Sequence, residues 1–292
     1  MIHNQVVCRV HWSDPNPTPL AGISVGDFTN TATAGEWNYH TQFSDGLFNR
    51  TVPTFGAAPR YLGMPGNHDI SSASWYSLWT ANLPGQTNLG HSGTDGIYFT
   101  AEYASVLFAA VDSNKASGPS TSWSDAQTLA LGAALRNSTA KFKFLFFHKP
   151  VYSCSTSHAG YASGLPWIDL AERYGVDLAF SGHTHVYTRT CELNRASCVT
   201  DGSGTIQIEL GSVAGTPRAV NISKASVSGT DSTGATRTDS YNCTSNLAAS
   251  RGSANTFCHV GVQGCQATLR CYTVAAGNTT PFDTLTIDHC GE

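Results

Sequence analysis

The sequence predicts an α/β fold, and three observations support this prediction. Segments with strand character alternate with segments of helical periodicity over residues 6–210. Short polar clusters rich in His, Asp and Asn recur where the predicted strands end, as in α/β proteins that place ligand chemistry at the carboxyl ends of strands. A length of 292 residues with 40% hydrophobic content is ample for a large core.

The predicted strands and helices follow one another in the order expected of such a fold. The strands before residue 215 span residues 6–12, 20–25, 60–64, 96–100, 106–111, 142–147, 176–180 and 205–210. The helices span residues 33–48, 75–83, 122–136 and 165–174. Ser122 or Ser124 can cap the third helix at its amino end, and Gly175 can end the fourth helix.

The carboxyl-terminal part of the chain has a different character. Residues 221–264 are polar, rich in Ser, Thr and Gly, and follow no clear pattern. We expect them to form a disulfide-pinned insertion, or a disordered segment, within a single domain over residues 1–292. Residues 266–274 and 282–288 have the character of closing strands, so residues 265–292 would complete the domain.

Composition excludes some functions and favours an extracellular setting. A net charge of −4 and a pI of about 6.2 provide no basic surface for nucleic acid. Charged residues make up only 12% of the chain, about half the usual share, which suits an extracellular protein with many loops. No apolar run is long enough to span a membrane, and no signal peptide is visible, so we expect the start to be mature, trimmed or incomplete.

The nine cysteines favour disulfide bonds and therefore an oxidising, secreted setting. Structural zinc is the alternative, but no Cys-x-x-Cys pair occurs. Short-range pairing would join Cys191 to Cys198, Cys243 to Cys258 and Cys265 to Cys271, leaving Cys8, Cys154 and Cys290. Five sequons, which would carry glycans in a secreted glycoprotein, begin at Asn49, Asn137, Asn221, Asn242 and Asn278.

The cluster Gly66-Asn67-His68-Asp69 combines a metal-binding amide with a proton donor. Gly66 lets the backbone turn tightly after the strand. Asn67 can give its carbonyl oxygen to a metal ion, and His68 can donate a proton to a phosphate oxygen or a leaving group. Asp69 can orient His68 through a ring nitrogen. A turn with no chemistry is the alternative for this tetrapeptide alone.

Three further histidines follow predicted strands. His148 ends an apolar strand, where a lone histidine is more often structural than a ligand. His183 and His185 are stronger candidates, because alternate residues of an extended segment project to the same side, and Gly182 permits close approach. With Asp27 after the second strand, these side chains offer nitrogen and oxygen ligands that suit zinc, iron or manganese. Two such ions can clamp a phosphoester and activate a water molecule.

In their order along the chain, these motifs resemble those of the calcineurin-like metallophosphoesterase superfamily. The matching motifs are Gly26-Asp27, Gly66-Asn67-His68-Asp69, His148 and Gly182-His183-Thr184-His185. The segments that begin at His148, Tyr174 and His185 are similar to the purple acid phosphatase branch. The resemblance covers residues 20–215 and implies a four-layer α/β/β/α sandwich with a disulfide-rich carboxyl-terminal insertion.

The resemblance also implies a role for each matched residue. Asp27 would bridge two metal ions, and His185 would bind one of them. The other metal ion would also be bound by Asn67, His148 and His183. The metal ions would be Fe, Zn or Mn. A hydroxide activated by them would attack a small phosphoester substrate, and His68 would stabilise the developing charge or protonate the leaving group.

Two positions depart from the family pattern. The first family motif, Asp-x-His or Asp-x-Gly, is represented by Asp14 with Asn16 in place of the histidine, so Asp14 is a candidate metal ligand. Residues 15–19 are too few for the crossover between two parallel strands, so the first two strands pair differently from the family or some sequence is missing. Asn30 stands where the purple branch has a metal-binding tyrosine, so we expect no tyrosinate–iron centre. The chain would then hold two metal ions or only one.

Two loop histidines, His91 and His158, are candidates for lining the substrate pocket, although lone loop histidines are usually only solvated. Asp112, at the end of a strand, is expected to orient a neighbouring loop rather than to bind metal. Reserve candidates for the second metal ion are His3, His11 and His40.

The sequence therefore predicts a secreted metallophosphoesterase that acts on phosphomonoesters or small phosphodiesters. The alternative is a non-catalytic extracellular structural or binding glycoprotein on the same fold with a degenerate metal site. This alternative depends on the altered first motif, the cysteines and the low charge. A binding module with a single metal ion is a third possibility between these two.

Overall fold

The computed structural model of the protein describes residues 5–10, 21–38, 60–72, 74, 77, 78, 97–103, 105–114, 123–213, 215–220, 224–275 and 278–291. The strands in chain order are β1 (Gln5–Val10), β2 (Ala21–Ser24), β3 (Arg60–Gly63), β4 (Phe99–Tyr103), β5 (Val106–Ala110), β6 (Phe142–Phe146), β7 (Leu178–Ser181), β8 (Tyr187–Asn194), β9 (Ser197–Cys198), β10 (Thr205–Glu209), β11 (Lys224–Thr230), β12 (Thr236–Asn242), β13 (Leu247–Arg251), β14 (Thr256–Gln263), β15 (Gln266–Thr273) and β16 (Asp283–Asp288). The longer helices are α1 (Ala126–Asn137) and α2 (Leu165–Arg173), and residues 34–38 are also helical.

The strands form two large sheets and one separate hairpin. The first sheet has the order β16-β15-β14-β1-β2-β3, and the second has the order β13-β8-β10-β7-β6-β5-β4, with β9 paired to β8. In the second sheet β5, β6, β7 and β10 are parallel neighbours, so their carboxyl ends lie at one edge. The remaining pair, β11 and β12, forms a two-stranded sheet.

The pairing of β1 resolves the short connection between the first two strands. β1 runs antiparallel to β2, whereas β2 and β3 are parallel. An antiparallel pair needs no crossover, so the ten residues 11–20 between β1 and β2 suffice to connect them, and the two strands pair differently from the family pattern. The carboxyl end of β1 therefore lies at the sheet edge opposite the carboxyl ends of β2 and β3. Asp14 itself lies outside the described residues.

Two apolar layers hold the sheets and helices together. One layer lies between the two sheets and includes Ile23, Phe144 and Val260, all 1% exposed. The other lies between the second sheet and the helices and includes Trp167, which is fully buried. Burial of these large side chains is the main stabilising contribution to the fold.

The outer face of the first sheet is also covered. A Cβ placed on Gly63 would meet the ring of Phe28, so Phe28 lies directly against β3. The Phe28 ring stacks on Trp37 of the helical segment 34–38, with 5.7 Å between the ring centroids. The α/β prediction is therefore confirmed, with helical segments on the outer faces of two stacked sheets. None of the helices in the described ranges is long and apolar enough to cross a membrane.

The predicted helix ends are only partly right. The N-cap of α1 is Asp125, whose Oδ1 accepts a hydrogen bond from the Thr128 N–H at 2.8 Å, so the prediction of Ser122 or Ser124 is wrong. A carboxylate performs the same capping as a hydroxyl, and the helix starts one turn later than its polar flank suggested. Gly175 has φ +65° just after α2, as predicted for a helix end. Most of the helices predicted over residues 33–48 and 75–83 lies outside the described residues.

The disulfides correct two of the short-range cysteine pairs. Cys191 pairs with Cys198 as predicted. The other bridges are Cys154–Cys243, Cys258–Cys271 and Cys265–Cys290. The Cys258–Cys271 bridge follows the register of the closing strands, since Cys258 lies opposite Cys271 in the pairing of β14 with β15. Cys265 and Cys290 lie just outside the paired residues of β15 and β16. For these two bridges, strand pairing is a better guide to the partners than closeness in sequence. The side chain of Cys8 lies outside the described residues.

The polar stretch 221–264 is more regular than its composition indicated. Its described residues form β11, β12, β13 and β14, so the expectation of a disordered segment is wrong for them. Two of these strands join the large sheets, and Cys243 ties the hairpin of β11 and β12 to the loop after β6. Strands β15 and β16 lie where closing strands were predicted.

Candidate metal centre

The loops that follow β2, β6 and β7 bring three metal-binding side chains together. Asp27, His148 and His183 each offer one ligand atom, and these atoms lie within 4.8 Å of one another. Asp27 and His148 are buried, and His183 is half-buried. The structure thus gathers three of the predicted ligands in one place.

His148 is held in a defined tautomer. Its Nδ1 lies 2.7 Å from the carbonyl oxygen of Val25, and a carbonyl can only accept, so Nδ1 carries the proton. Nε2 therefore presents a lone pair, 3.0 Å from Oδ1 of Asn67 and 3.4 Å from Oδ2 of Asp27. Burial lowers the pKa of His148, and the ring is neutral at neutral pH.

Three acceptor atoms consequently face one another with no proton between them. The carboxylate oxygen of Asp27, the amide oxygen of Asn67 and Nε2 of His148 all carry lone pairs, which repel unless a cation lies among them. Mixed nitrogen and oxygen donors suit zinc, iron or manganese. Donation of the other ring N–H to a backbone carbonyl is the contact that metal-binding histidines usually make. The residues present therefore fit a metal ion.

Two glycines make this close approach possible. A Cβ on Gly26 would lie 2.6 Å from Nδ1 of His148 and 2.6 Å from the Gly66 backbone nitrogen. A Cβ on Gly66 would overlap the backbone nitrogen and Oδ1 of Asp27 and would lie 2.7 Å from its Cγ. The loops after β2 and β3 thus pack backbone to backbone, which only glycine allows.

The backbone is strained at the clustered residues. Asp27, His183 and His185 have φ values of 57°, 68° and 58°, in the left-handed region that residues other than glycine rarely adopt. Such conformations cost about 1–3 kcal/mol each and persist where the surroundings impose them, often at functional sites. Three of the seven non-glycine residues with positive φ in the described part of the chain are thus predicted ligands.

His183 has two histidine neighbours. Its ring centroid lies 5.0 Å from that of His148 and 4.2 Å from that of His158. Burial, together with the nearby His148, lowers the pKa of His183 to about 2, so this ring is neutral and can act as a ligand. Burial also lowers the pKa of His158. The loop histidine His158 thus lies against the cluster.

The structure corrects the role predicted for Asp69. The ring of His68 is oriented by the carbonyl oxygen of Asn30, which lies 2.9 Å from Nδ1. Asp69 instead accepts hydrogen bonds from the backbone of Gly66 at 2.8 Å and of Thr29 at 2.8 Å, so it fastens the two loops together. Burial, with the nearby Asp27, raises the pKa of Asp69 to about 7.

His68 also contacts the cluster through its backbone. Its N–H donates a hydrogen bond to Oδ1 of Asp27 at 3.1 Å, which fixes the carboxylate that faces His148. Because Nδ1 of His68 is engaged by Asn30, its Nε2 is the ring atom that can meet a substrate.

His185 lies beside this cluster. Within the described ranges, the group of converging ligand atoms contains Asp27, His148 and His183 but not His185. Nδ1 of His185 lies 2.9 Å from the carbonyl oxygen of Thr216, so its Nε2 presents a lone pair as in His148. Asp14, predicted to bind the same metal ion as His185, and His91 both lie outside the described residues.

One supporting residue, Asn114, was missed in the sequence. The side-chain amide of Asn114 donates to the carbonyl oxygen of Pro65 at 2.7 Å and so fixes the loop that carries Asn67. Asp112 accepts from the Asn114 backbone at 2.7 Å and from Ile97 at 3.3 Å, which agrees with the loop-orienting role predicted for it. An amide that follows a buried strand is the only hint that sequence could give of Asn114.

A family model described as calcineurin-like phosphoesterase matches residues 9–187, which is more than half of the chain. The chain belongs to the calcineurin-like phosphoesterase family. The matched range contains every residue of the cluster, and metal-dependent members of this family use a dinuclear centre. No curated protein matches the sequence significantly.

Two solved structures share the fold of this chain at low sequence identity. One is the purple acid phosphatase PPD1 from yellow lupin (Lupinus luteus) seeds, at 16% identity and a TM-score of 0.60. This match covers 91% of the present chain and 46% of the lupin chain, so the present chain spans about half of the length of the lupin protein. The other is GAP50, the anchor in the inner membrane complex of Plasmodium, at 13% identity and a TM-score of 0.54, covering 97% of this chain and 89% of GAP50.

Proposed function

We propose that this phosphoesterase hydrolyses phosphomonoesters or small phosphodiesters in a metal-dependent reaction. The convergence of lone pairs from Asp27, Asn67 and His148 beside His183 is the observation that carries the proposal. Family membership supports the reaction class, and the exposure of His68 and His158 at the same place offers groups that can meet a phosphate.

In this proposal Asp27, Asn67, His148 and His183 hold one metal ion, and His185 with Asp27 contributes to a second. Iron, zinc and manganese all suit these ligands. A bound metal ion would supply Lewis acidity toward the phosphoryl oxygens and a water molecule ionised near neutral pH. The neutral state of the buried His148 and of the half-buried His183 keeps their lone pairs available for this purpose.

The remaining side chains orient the substrate and move the proton. His68, with its Nδ1 proton fixed on the Asn30 carbonyl, presents Nε2 to a phosphate oxygen or to the leaving group. As the imidazolium, which carries a proton on both ring nitrogens, it donates the Nε2 proton there. His158, whose ring is tilted against that of His183, forms a wall of the pocket and donates a hydrogen bond to the phosphate. Asp69 contributes by fastening the loop of Asn67 and His68 to the loop of Asp27.

The setting that we propose is extracellular. Four disulfides in the described part of the chain require an oxidising environment to form and persist. The sequons at Asn137, Asn242 and Asn278 then become candidates for glycans in a host that glycosylates secreted proteins.

The test combines metal analysis with hydrolysis of p-nitrophenyl phosphate and its bis ester. The wild type should contain bound metal and hydrolyse at least one ester. His148→Ala and His183→Ala should each lose activity by more than the roughly 100-fold that removal of an outer-shell partner costs. His259→Ala is the matched control, because His259 lies on the outer face of β14, and it should retain activity. Full activity in both cluster variants, or a wild type without metal, would overturn the proposal.

A second candidate function is a non-catalytic structural or binding protein on the same fold. Two observations favour it: β1 is antiparallel to β2, so its carboxyl end lies away from Asp27, and the chain is similar to GAP50, described as an anchor. The number of bound metal ions discriminates between the candidates. Two ions with hydrolysis support the enzyme, and one ion or none without hydrolysis supports the binding protein.

A further inference from the structure

The hairpin of β11 and β12 has an unusual inward face. Its strand β12 alternates between buried and exposed residues, with Arg237, Asp239 and Tyr241 only 1%, 2% and 5% exposed. In most strands that pack on a core the buried residues of such an alternation are apolar. Here two of the three are charged, so the hairpin is docked mainly by polar contacts.

Arg237 fixes the position of the hairpin on α2. Its guanidinium lies 2.6 Å from Asp239, 3.0 Å from Glu172 and 3.5 Å from Asp169. Glu172 and Asp169 are three residues apart on α2 and therefore share one helix face. Since a buried guanidinium is costly unless carboxylates surround it, these ion pairs favour the observed register of the hairpin on α2.

In this register Tyr241 meets the loop that follows His148. The hydroxyl of Tyr241 donates a hydrogen bond to the Ser153 carbonyl oxygen at 2.7 Å and accepts one from the Ser153 N–H at 3.1 Å. One side chain thus satisfies both backbone groups of a buried loop residue. The neighbouring Cys154 is joined to Cys243, the residue just after β12.

Ser153 connects this contact to the metal cluster. Its side-chain hydroxyl donates to the backbone carbonyl oxygen of His158 at 2.9 Å. The His158 ring lies 4.2 Å, centroid to centroid, from that of His183. A continuous series of contacts therefore runs from Tyr241 through Ser153 to His158 and the cluster.

The strand β11 contacts the same loop with the same face of the hairpin, since Val227 lies opposite Asp239 in the pairing with β12. A Cβ on Gly160 would lie 3.0 Å from Val227, which is 4% exposed, and would overlap the carbonyl oxygen of Val151. The backbone N–H of Tyr161 donates to the Pro150 carbonyl oxygen at 2.8 Å, so the loop is tied at its base as well. Both strands of the hairpin thus restrict the path of residues 150–161.

We propose that Tyr241 is a positioning residue that holds His158 against His183, so that the hairpin of β11 and β12 forms part of the substrate pocket. Its effect on catalysis rests on the proposed function, whereas its effect on the loop does not. His158 meets the phosphate in the ground state, so its misplacement weakens substrate binding more than the chemical step.

The test is Tyr241→Phe, which keeps the ring and removes only the hydroxyl. The KM for p-nitrophenyl phosphate should rise about fivefold, as expected for a lost hydrogen bond, with little change in kcat or bound metal. Ser153→Ala, which removes the contact to His158 directly, should produce the same rise. Thr128→Val is the control: it removes a buried hydroxyl that accepts from Trp167 at 2.9 Å between the two helices, and KM should not change.

Hydrogen–deuterium exchange of peptides that cover residues 152–160 provides a second measurement that needs no activity. Exchange there should increase in Tyr241→Phe and stay at the wild-type level in Thr128→Val. If the wild type is active, an unchanged KM in Tyr241→Phe and Ser153→Ala overturns the proposal. If the wild type is inactive, the proposed function fails, and exchange alone decides: increased exchange supports the positioning role, and unchanged exchange overturns it.

Discussion

Replacing Gly66 with alanine should weaken metal binding by a factor of at least about 100 while the fold survives. A Cβ at this position would overlap the backbone nitrogen and Oδ1 of Asp27 and would lie 2.7 Å from its Cγ, closer than Cβ atoms are found in proteins. The loop of Asp27 must therefore shift by roughly 0.5–1 Å, whereas metal–ligand distances are held to about 0.2 Å.

The size of the effect follows from this mismatch. A displacement of about 1 Å in a preorganised site can cost a factor of about 100, so we expect the dissociation constant for Zn²⁺ or Mn²⁺ to rise at least that much. Overpacking at a buried backbone contact costs about 1–3 kcal/mol, so the Tm should fall but a cooperative transition should remain. Calorimetric titration of the metal-free protein measures the affinity, and thermal unfolding measures the stability.

Gly35→Ala is the matched control. Gly35 lies in the helical segment 34–38, and nothing lies within 4 Å of a Cβ placed there, so its replacement should leave metal affinity unchanged. If Gly66→Ala bound metal as tightly as Gly35→Ala, the close approach of the two loops would not define the site, and the reasoning that makes Asp27 a ligand would fail.

Three further changes test other parts of the structure. Burial raises the pKa of Glu209 from 4.5 to about 7, so the folded protein binds a proton that the unfolded chain has released, and stability falls as the pH rises through this window. Glu209→Gln should therefore be more stable than the wild type by up to about 3 kcal/mol near pH 8 and should lose this advantage near pH 4. Thermal unfolding at several pH values measures the difference. A difference in Tm that does not grow with pH would contradict the raised pKa of Glu209. Arg237→Met should lower the free energy of unfolding, measured with urea, by about 3–5 kcal/mol, because it leaves buried carboxylates without a cation. An unchanged free energy of unfolding would show that these carboxyl groups are protonated. Asp125→Ala should cost about 1 kcal/mol, more than Ser124→Ala, since Asp125 caps α1, and equal losses would refute the cap assignment.

Much of the second sheet could be predicted from local pattern. Strand β5 is apolar throughout and is buried at every position, as its composition predicts. Gly175 ends α2 because only a residue tolerant of positive φ fits there. Where the hydrophobic pattern of an element and the residue that ends it both lie within a few residues, the sequence alone is sufficient to predict that element.

The parts that could not be predicted depend on contacts between distant residues. Cys243 pairs with Cys154, which is 89 residues away, and no local feature of either cysteine indicates the other. The alternation in β12 is concealed because its buried positions include Arg237 and Asp239, which in most strands would face solvent. These charges are acceptable only because α2 supplies partners, and that packing is a property of the whole fold.

The residues of the candidate site also differ in whether the local sequence predicts them. Asp27, His148 and His183 could be predicted because each follows a strand that is evident from the sequence, and the structure gathers them. The partner of His68 could not be predicted, since a backbone carbonyl has no sequence signature and any residue at position 30 provides one. Tyr241 lies outside the motifs altogether and approaches the loop of His158 only through the docking of the hairpin.

The position of β1 has a consequence for the order in which the protein folds. This strand lies between β2 and β14, and its residue Val6 pairs with Cys258, about 250 residues further along the chain. During synthesis the amino-terminal strands emerge first, but one side of β1 has no strand to pair with until β14 has left the ribosome. Long-range parallel pairing of this kind is slow to form, because the chain entropy of closing so large a loop is lost before the contacts compensate for it. The nascent chain therefore carries an open sheet edge for most of its synthesis, and that interval is when a chaperone would be most needed.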